Sequence, residues 1–515
     1  MKKTTKRHII DMKGIKSILI ALICAALVSC ESKNEHLERL VPGDVAGVVC
    51  VNMPKVIEKS GIKQGDDLKL PDDLKELLKA NEESVICKLV KNMPKSGIEI
   101  KERAYVYFPK KDFDYVMLVA LADEDKAKKL VTHKSGCQFE GKDGVDIAIS
   151  GNDVWVVSDG ILLKAVLKNS SDADKASRLA SAIINYEGKS IADLDEATRL
   201  LDVEKEITAY FDAQSIETIL KANPVVSTWV SDYPILHLLL DNDIKSISLD
   251  MTFDNDKGDM NIHLNMDENC RFAQLLDAVL QKPSNTFLKT IPNSMQVVTA
   301  MSVNGANLVR LPQIGKMIKK INEMPYLGGL HLDSIVNAIE GPIAVGVSED
   351  PYFEGDYNYV FAAESGKPYY IVDMIARFAS RLGQDPEVYE GEYYYSYNNK
   401  QVKVGVNGNV VYIKMLNYEQ TEGYASTIEE MNNFFGGSSL GVYSHFADKD
   451  VNSTISIGLT TDKKLIKGKF LANNEGNAMM QFIKLLCTIK PVNDYDYDMS
   501  TTIDNDNMVG EFHAF

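Results

Sequence analysis

Leu40-Val41-Pro42, then Gly47-Val48-Val49-Cys50-Val51 and Asn52, returns about 250 residues later as Thr290-Ile291-Pro292, Val297-Val298-Thr299-Ala300-Met301 and Asn304. Each version is a proline, a short apolar run and an asparagine ahead of a helix pattern, near Val56 and from Leu308. Proline cannot donate to a ladder, so a strand begins after it. Further landmarks keep the same order. Tyr115–Val119 matches Tyr359–Ala363, and Phe139-Glu140-Gly141 matches Tyr389-Glu390-Gly391. Gly151–Val156 matches Gly408–Ile413, and Asp250-Met251-Thr252 matches Asp498-Met499-Ser500. Ser456–Ala472 competes for that last match, because it also resembles the hairpin near 247–264. One match would be chance; an ordered series implies two divergent tandem copies.

Each copy reads as α+β. Pro71-Asp72-Asp73 ahead of Leu74, and Pro368 ahead of Ile371, Ile375 and Phe378, suit the first turn of a helix. Asp123 is placed to cap a helix carrying Ala127, Leu130 and Val131 on one face. Asn407-Gly408 and Asp254–Gly258 are turns between period-two runs, which implies antiparallel sheet packed under helices on one face. The other face is expected to be wet or paired with the sibling copy. The predicted divisions are a leader over 1–29, a tether over 30–37, and copies over 38–283 and 284–515. The copies meet near Gln281–Asn285, with further breaks expected near 202 and at Gly436-Gly437.

The start of the chain gives an address. Lys13 and Lys16 precede an apolar run from Ile18 to Val28, too short to cross a bilayer core that needs about 20 residues. Leu27-Val28-Ser29-Cys30 has the form of a bacterial lipobox, with Cys30 the lipid-bearing residue and Met12 an alternative start. This implies a cell-envelope protein on the outer membrane, held by an N-terminal lipid as its only membrane contact, the periplasmic or surface side left open. Taking six basic and one acidic group from 56 and 73 leaves 50 against 72, a formal charge of −22. That balance argues against nucleic acid and anionic surfaces as partners.

Cys30, Val41-Pro42-Gly43-Asp44, the run Val48–Val51, Asn52-Met53 and Lys55–Gly61 together resemble a family of Bacteroidetes lipoproteins of unknown function. The resemblance implies a lipobox followed by an α+β body and offers no catalytic residues.

Thirteen of the 23 tyrosines fall between Tyr352 and Tyr424. Tyr389, Tyr393, Tyr395 and Tyr397 are candidate ligand contacts, since phenols stack on sugars or peptide side chains and donate at their rims. Tyr393, Tyr395 and Tyr397 would share one strand face. The alternative is that tyrosine suits a pleated, half-buried surface. Asp-Asn-Asp triplets at 241–243, 254–256 and 504–506 hint at calcium, yet 254–258 lacks the donors of a calcium loop, and tight turns explain them better. Ser60-Gly61-Ile62-Lys63 matches SxxK without its companions. His36, His133, His237, His263, His331, His445 and His513 stand singly, and Cys50, Cys87, Cys137, Cys270 and Cys487 form no CxxC pair, so no metal or cofactor is indicated. The expectation is a binding or scaffolding protein with an envelope protein or glycan partner. The alternatives are a hydrolase whose carboxylates meet only in space, or a structural spacer. A flat exposed aromatic patch would favour binding, and two buried carboxylates about 5–10 Å apart in a cleft would favour a hydrolase.

Overall fold

A computed structural model describes residues 35–60, 96–168, 181–194, 204–212, 244–292, 294–324, 331–350, 356–416, 425–447, 452–472 and 477–482, a few positions inside these stretches excepted, with Arg178, Leu200 and Ser215. The leader, the lipobox Leu27-Val28-Ser29, Cys30, the expected helix at Leu74 and the triplets at 241–243 and 504–506 lie outside them.

Among the described residues, twenty strands join into one antiparallel sheet. The first half supplies β1 (Gly47–Val51), β2 (Ala104–Phe108), β3 (Phe113–Ala120), β4 (Glu140–Lys142), β5 (Val145–Ser150), β6 (Asp153–Ser158), β7 (Ile161–Leu167), β8 (Ile207–Asp212), β9 (Ile244–Asp254) and β10 (Lys257–Met266). The second supplies β11 (Val297–Asn304), β12 (Ile339–Glu349), β13 (Tyr357–Ser365), β14 (Glu387–Tyr389) and β15 (Glu392–Tyr397). It continues with β16 (Lys400–Asn407), β17 (Val410–Leu416), β18 (Ser438–Ala447), β19 (Asn452–Thr460) and β20 (Leu465–Ala472). Across the sheet the first half runs β4-β5-β6-β7-β3-β2-β1-β8-β9-β10. The second runs β14-β15-β16-β17-β13-β12-β11-β18-β19-β20. The two orders coincide when β1 is set against β11.

That correspondence shifts two of the sequence matches. The Gly151 turn joins β5 to β6, whereas the Gly408 turn joins β16 to β17, so this pair slips by one hairpin. The β19–β20 hairpin, not 498–506, stands where β9–β10 stands. Apolar alternation is alike in neighbouring hairpins, so periodicity alone could not fix the register. The halves meet edge to edge rather than face to face: β10 pairs β20 from Lys257↔Leu471 to His263↔Leu465.

Helices cover both sheet faces. They are α1 (Glu35–Arg39), α2 (Met53–Ser60), α3 (Glu124–Ser135), α4 (Arg271–Val279), α5 (Gly305–Arg310), α6 (Pro312–Glu323), α7 (Leu332–Asn337), α8 (Pro368–Arg381) and α9 (Ala425–Gly437). Asp123 caps α3 as expected, accepting from the Lys126 N–H at 3.0 Å, and Gly136 at φ 72° ends it. Pro368 opens α8. Gly437 ends α9 directly against β18, so the expected break at Gly436-Gly437 is a helix–strand junction. Helix α1 begins at Glu35, inside the segment expected as a tether, and buries Leu37.

One face, here the front, packs Val49, Val51, Val106, Phe108, Phe253 and Phe470 against α2 and a helical turn over 478–482. The back packs Val48, Cys50, Tyr105, Tyr107 and Val116 against Leu37 and Leu40. In the second half the back buries Val298, Ala300, Val360 and Ala362 under Phe287 and the α9 residues Met431 and Phe435. The front buries Val303, Ile339 and Ala363 with Leu276 and Val279 of α4. Helix α4 thus precedes the predicted division at 283 yet belongs to the second core. The turn at 478–482 follows β20 yet belongs to the first.

Candidate functional site

The strands β11, β12 and β13 carry apolar side chains in both phases of their alternation, and β18 and β19 carry theirs mainly on the front. One phase builds the back core, with Val298, Ala300, Ala344, Val360, Ala362 and Tyr443 buried. The other phase points to the front. Residues directly opposed across a ladder share a face, and the register aligns Ile457, Val442, Thr299, Val345 and Phe361 in one row. Val297, Val347 and Tyr359 form the next. Here Val345, Tyr357, Tyr359, Phe361, Leu440, Val442 and Ile457 are 37–42 % exposed, and Val297 is 36 % exposed. With side chains of this size offering about 150–250 Å² each, the patch presents on the order of 500 Å² of bare apolar surface. All fifteen exposed large apolar side chains among the described residues lie between Val297 and Ile457.

Two elements frame the patch. Helix α8 covers β15–β17 beside it, seating Ile371 and Val372 on Tyr395, Val404 and Val411. Helices α4 and α5 cover the far ends of β11 and β12, with α7 packed on α5. Gly305 at the start of α5 lies so close to the Val336 carbonyl that a Cβ would collide with it, which locks α5 to α7. Each helix is about 10 Å thick, so the patch forms the floor of a slot one helix deep.

Of the four candidate tyrosines, Tyr389, Tyr393 and Tyr395 do not converge. Tyr395 is 9 % exposed and Tyr393 half-buried, both packed beneath α8. Tyr389 is 64 % exposed, but it pairs with Glu392 and so faces the back. Tyr397 ends β15, and its side chain lies outside the described residues. The strand alternation expected for this segment is present, and α8 fills the face it creates. Tyr357, Tyr359 and Phe361, four strands away in sheet order from Tyr389, are the exposed aromatics instead. Their clue is the run Tyr359-Val360-Phe361-Ala362, apolar in both phases, which demands cover on both faces.

Three polar clusters sit elsewhere. On the back of β15–β17, Glu392 accepts from Tyr394 at 2.7 Å, Lys403 at 2.8 Å and the Tyr412 hydroxyl. Burial pushes the Glu392 pKa up, but those three donors outweigh it and hold the carboxyl below its ordinary value. In the first half Glu38 accepts from Tyr105 at 2.5 Å and pairs with buried Arg103 at 3.4 Å. Burial pushes the neighbouring Cys50 thiol up to about 11, so it stays protonated near neutral pH. At the junction of the halves Asp250 accepts from Asn261 at 2.9 Å and meets Lys205 at 3.1 Å and His263 at 3.3 Å. In each cluster the carboxylate's oxygens are engaged by neighbouring donors, an arrangement that holds strands in place. Among the described residues, no three His, Cys, Asp or Glu side chains are grouped to hold a metal ion, and no helix is long and apolar enough to cross a membrane.

No protein-family model matches the chain, and no curated protein does. Among solved structures, crystal form III of TP0453 aligns with 48 % of this chain and 89 % of its own at 10 % identity and a TM-score of 0.30. Crystal form I aligns with 47 % and 86 % at 11 % identity and a TM-score of 0.28. The DNA polymerase sliding clamp of Caulobacter crescentus aligns with 89 % and 97 % at 9 % identity and a TM-score of 0.11. Likenesses this weak bear on neither fold nor function.

Proposed function

We propose that this is a cell-envelope lipoprotein, anchored through Cys30, with a non-enzymatic binding or scaffolding role. Its body is two divergent copies of one α+β unit. The coincident strand orders of β1–β10 and β11–β20 support the duplication, as do the matched prolines, apolar runs and asparagines at 42–52 and 292–304. The lipobox and the apolar run before it support the anchor.

The observation that carries the binding role is the bare front face of the second half. An apolar patch of several hundred Å² on a soluble body is expensive to keep wet, and one this large commonly marks an interaction surface. Its aromatic and β-branched side chains are rigid, so little conformational entropy is lost when a partner covers them. A protein partner fits the slot better than a glycan does, since the floor carries no charged group in its two central rows.

The test compares the chain with V345S/F361S/V442S during affinity purification from gently solubilised envelopes. The same components should elute with the unmodified chain and disappear with the variant, while both melt within a few degrees of each other. An unchanged set of co-eluting components would remove the surface from consideration.

A further inference from the structure

The outer end of the second half carries a separate surface on its back. We infer that the back of β14–β17 binds an acidic glycan, with its acid group between Lys403 and Lys414 and its sugar rings against Tyr389 and Tyr394. The inference is independent of the bare front face, since these side chains stand on the opposite side of the sheet.

Register places the surface. Tyr394 opposes Lys403, Lys403 opposes Lys414, and Lys414 opposes Val360, which is buried in the back core. The adjacent rows on that face hold Tyr389 with Glu392, and Ser396 with Gln401. Tyr389 is 64 % exposed and Ser396 and Gln401 are exposed, while Glu392, Tyr394, Lys403 and Lys414 are partly buried. Three inter-strand steps from β14 to β17 make the face about 14 Å across, room for a short oligosaccharide.

The first half uses the same place otherwise. In the coincident strand orders β5, β6 and β7 stand where β15, β16 and β17 stand. There Ile147, Val154, Val156 and Leu163 are buried in the back core. The second half carries phenols and ammonium groups instead. Lys403 and Lys414 oppose each other directly, and like charges so placed cost stability. Local consistency is broken chiefly at functional or strained sites.

Glu392 is a positioning residue. It accepts from Lys403, Tyr394 and the Tyr412 hydroxyl, and so fixes one ammonium group and one ring. Burial pulls the Lys403 pKa down, but Glu392 and the nearby phenols outweigh it, and the group stays charged. The Lys403 ammonium stands 5.6 Å from the Tyr394 ring centroid, and that of Lys414 stands 5.1 Å from the Tyr412 centroid. Aromatic faces, cations and the Gln401 amide match the C–H faces, acid groups and hydroxyls of an acidic sugar. A peptide rich in acids would satisfy the lysines but offers no flat apolar face to Tyr389. The net charge of −17 repels anions at long range, yet it is screened beyond about 8 Å at physiological ionic strength, so the lysines at the surface decide.

The experiment titrates the full chain by calorimetry with tetragalacturonate, a heparin tetrasaccharide and sialyllactose, and with maltotetraose and hexaglutamate for comparison. At least one acidic glycan should bind about tenfold or more tightly than maltotetraose and hexaglutamate, and added salt should weaken it. Tyr389→Ala, at an exposed position, should weaken that binding about tenfold with an unchanged melting temperature, and Lys414→Gln should do the same. The front-face variant V345S/F361S/V442S should bind like the natural chain, which separates failure here from failure of the front-face reading. No binding of any acidic glycan, equal binding of maltotetraose or hexaglutamate, or full binding by Tyr389→Ala would overturn the proposal. So would loss of binding in the front-face variant.

Discussion

The same sheet face is finished differently in the two halves. In the first, Gly47 opposes Phe211 on one side and Phe108 on the other, and the Phe211 ring lies over the glycine so closely that a Cβ would strike it. Phe108 is 6 % exposed and Phe211 only partly so, their centroids 6.2 Å apart. Counted back from Asn304 as Gly47 is from Asn52, Thr299 lies between Val345 and Val442 as Gly47 lies between Phe108 and Phe211. Among the described residues no aromatic ring closes over that position, and Val345 and Val442 stand about two-fifths exposed. One unit has spent its face on a core, and the other has kept it open. Hydrophobic side chains serve both ends, so the exposure, not the composition, separates a structural surface from one available for docking.

The sharpest way to break this contrast is truncation at the corresponding positions. Phe108→Ala should cost about 3–5 kcal/mol, the usual range for removing a buried ring. Val345→Ala, at an already exposed site, should cost less than about 1 kcal/mol. Urea denaturation of each variant reads the difference, and equal losses would mean that Val345 is covered by something the fold depends on.

A smaller difference separates the helices beside the two faces. The Lys126 N–H holds the Asp123 carboxyl below its ordinary value, and Asp123→Ala should lower the melting temperature measurably. Lys367 in the matching position of α8 makes no side-chain cap, so Lys367→Ala should leave the melting temperature within error. The Asp123 contribution is present above the unfolded carboxyl pKa and is lost as pH falls through the depressed folded value.

The smallest effect lies on the back of the second half. His445 is 8 % exposed, its Nδ1 3.3 Å from the Thr454 hydroxyl, and burial depresses its pKa below 6.5. The unfolded chain therefore binds a proton that the folded chain refuses. Stability is complete above about pH 6.5 and falls as pH drops from there through the depressed value. Melting curves between pH 7 and 5 should show a steeper fall for the natural chain than for H445Q.

Much of the fold was written in local pattern. Asp123, Pro368 and the turns at 254–258 and 407–408 sit where their chemistry put them, because caps and tight turns are decided within a few residues. The sheet's closure was not local. Nothing in β10 or β20 distinguishes an edge that meets its counterpart from one that meets water, and the seam joins Lys257 to Leu471 across more than two hundred residues. The exposure of the aromatic side chains is not local either. Alternation in Tyr393-Tyr394-Tyr395 announces a strand with an aromatic face, but only the path of α8 shows that the face is filled. Val297-Val298-Thr299 and Tyr359-Val360-Phe361 announce two apolar faces, and only the assembled layers show that one of them is left bare.

The most direct test of the docking surface places a photo-crosslinking side chain at position 345, and for comparison at 108, in cells making the full chain. Light should yield discrete adducts to an envelope component from position 345, and none beyond neighbouring core residues from 108. Position 345 staying as free of adducts as an arbitrary exposed site would show that nothing docks there.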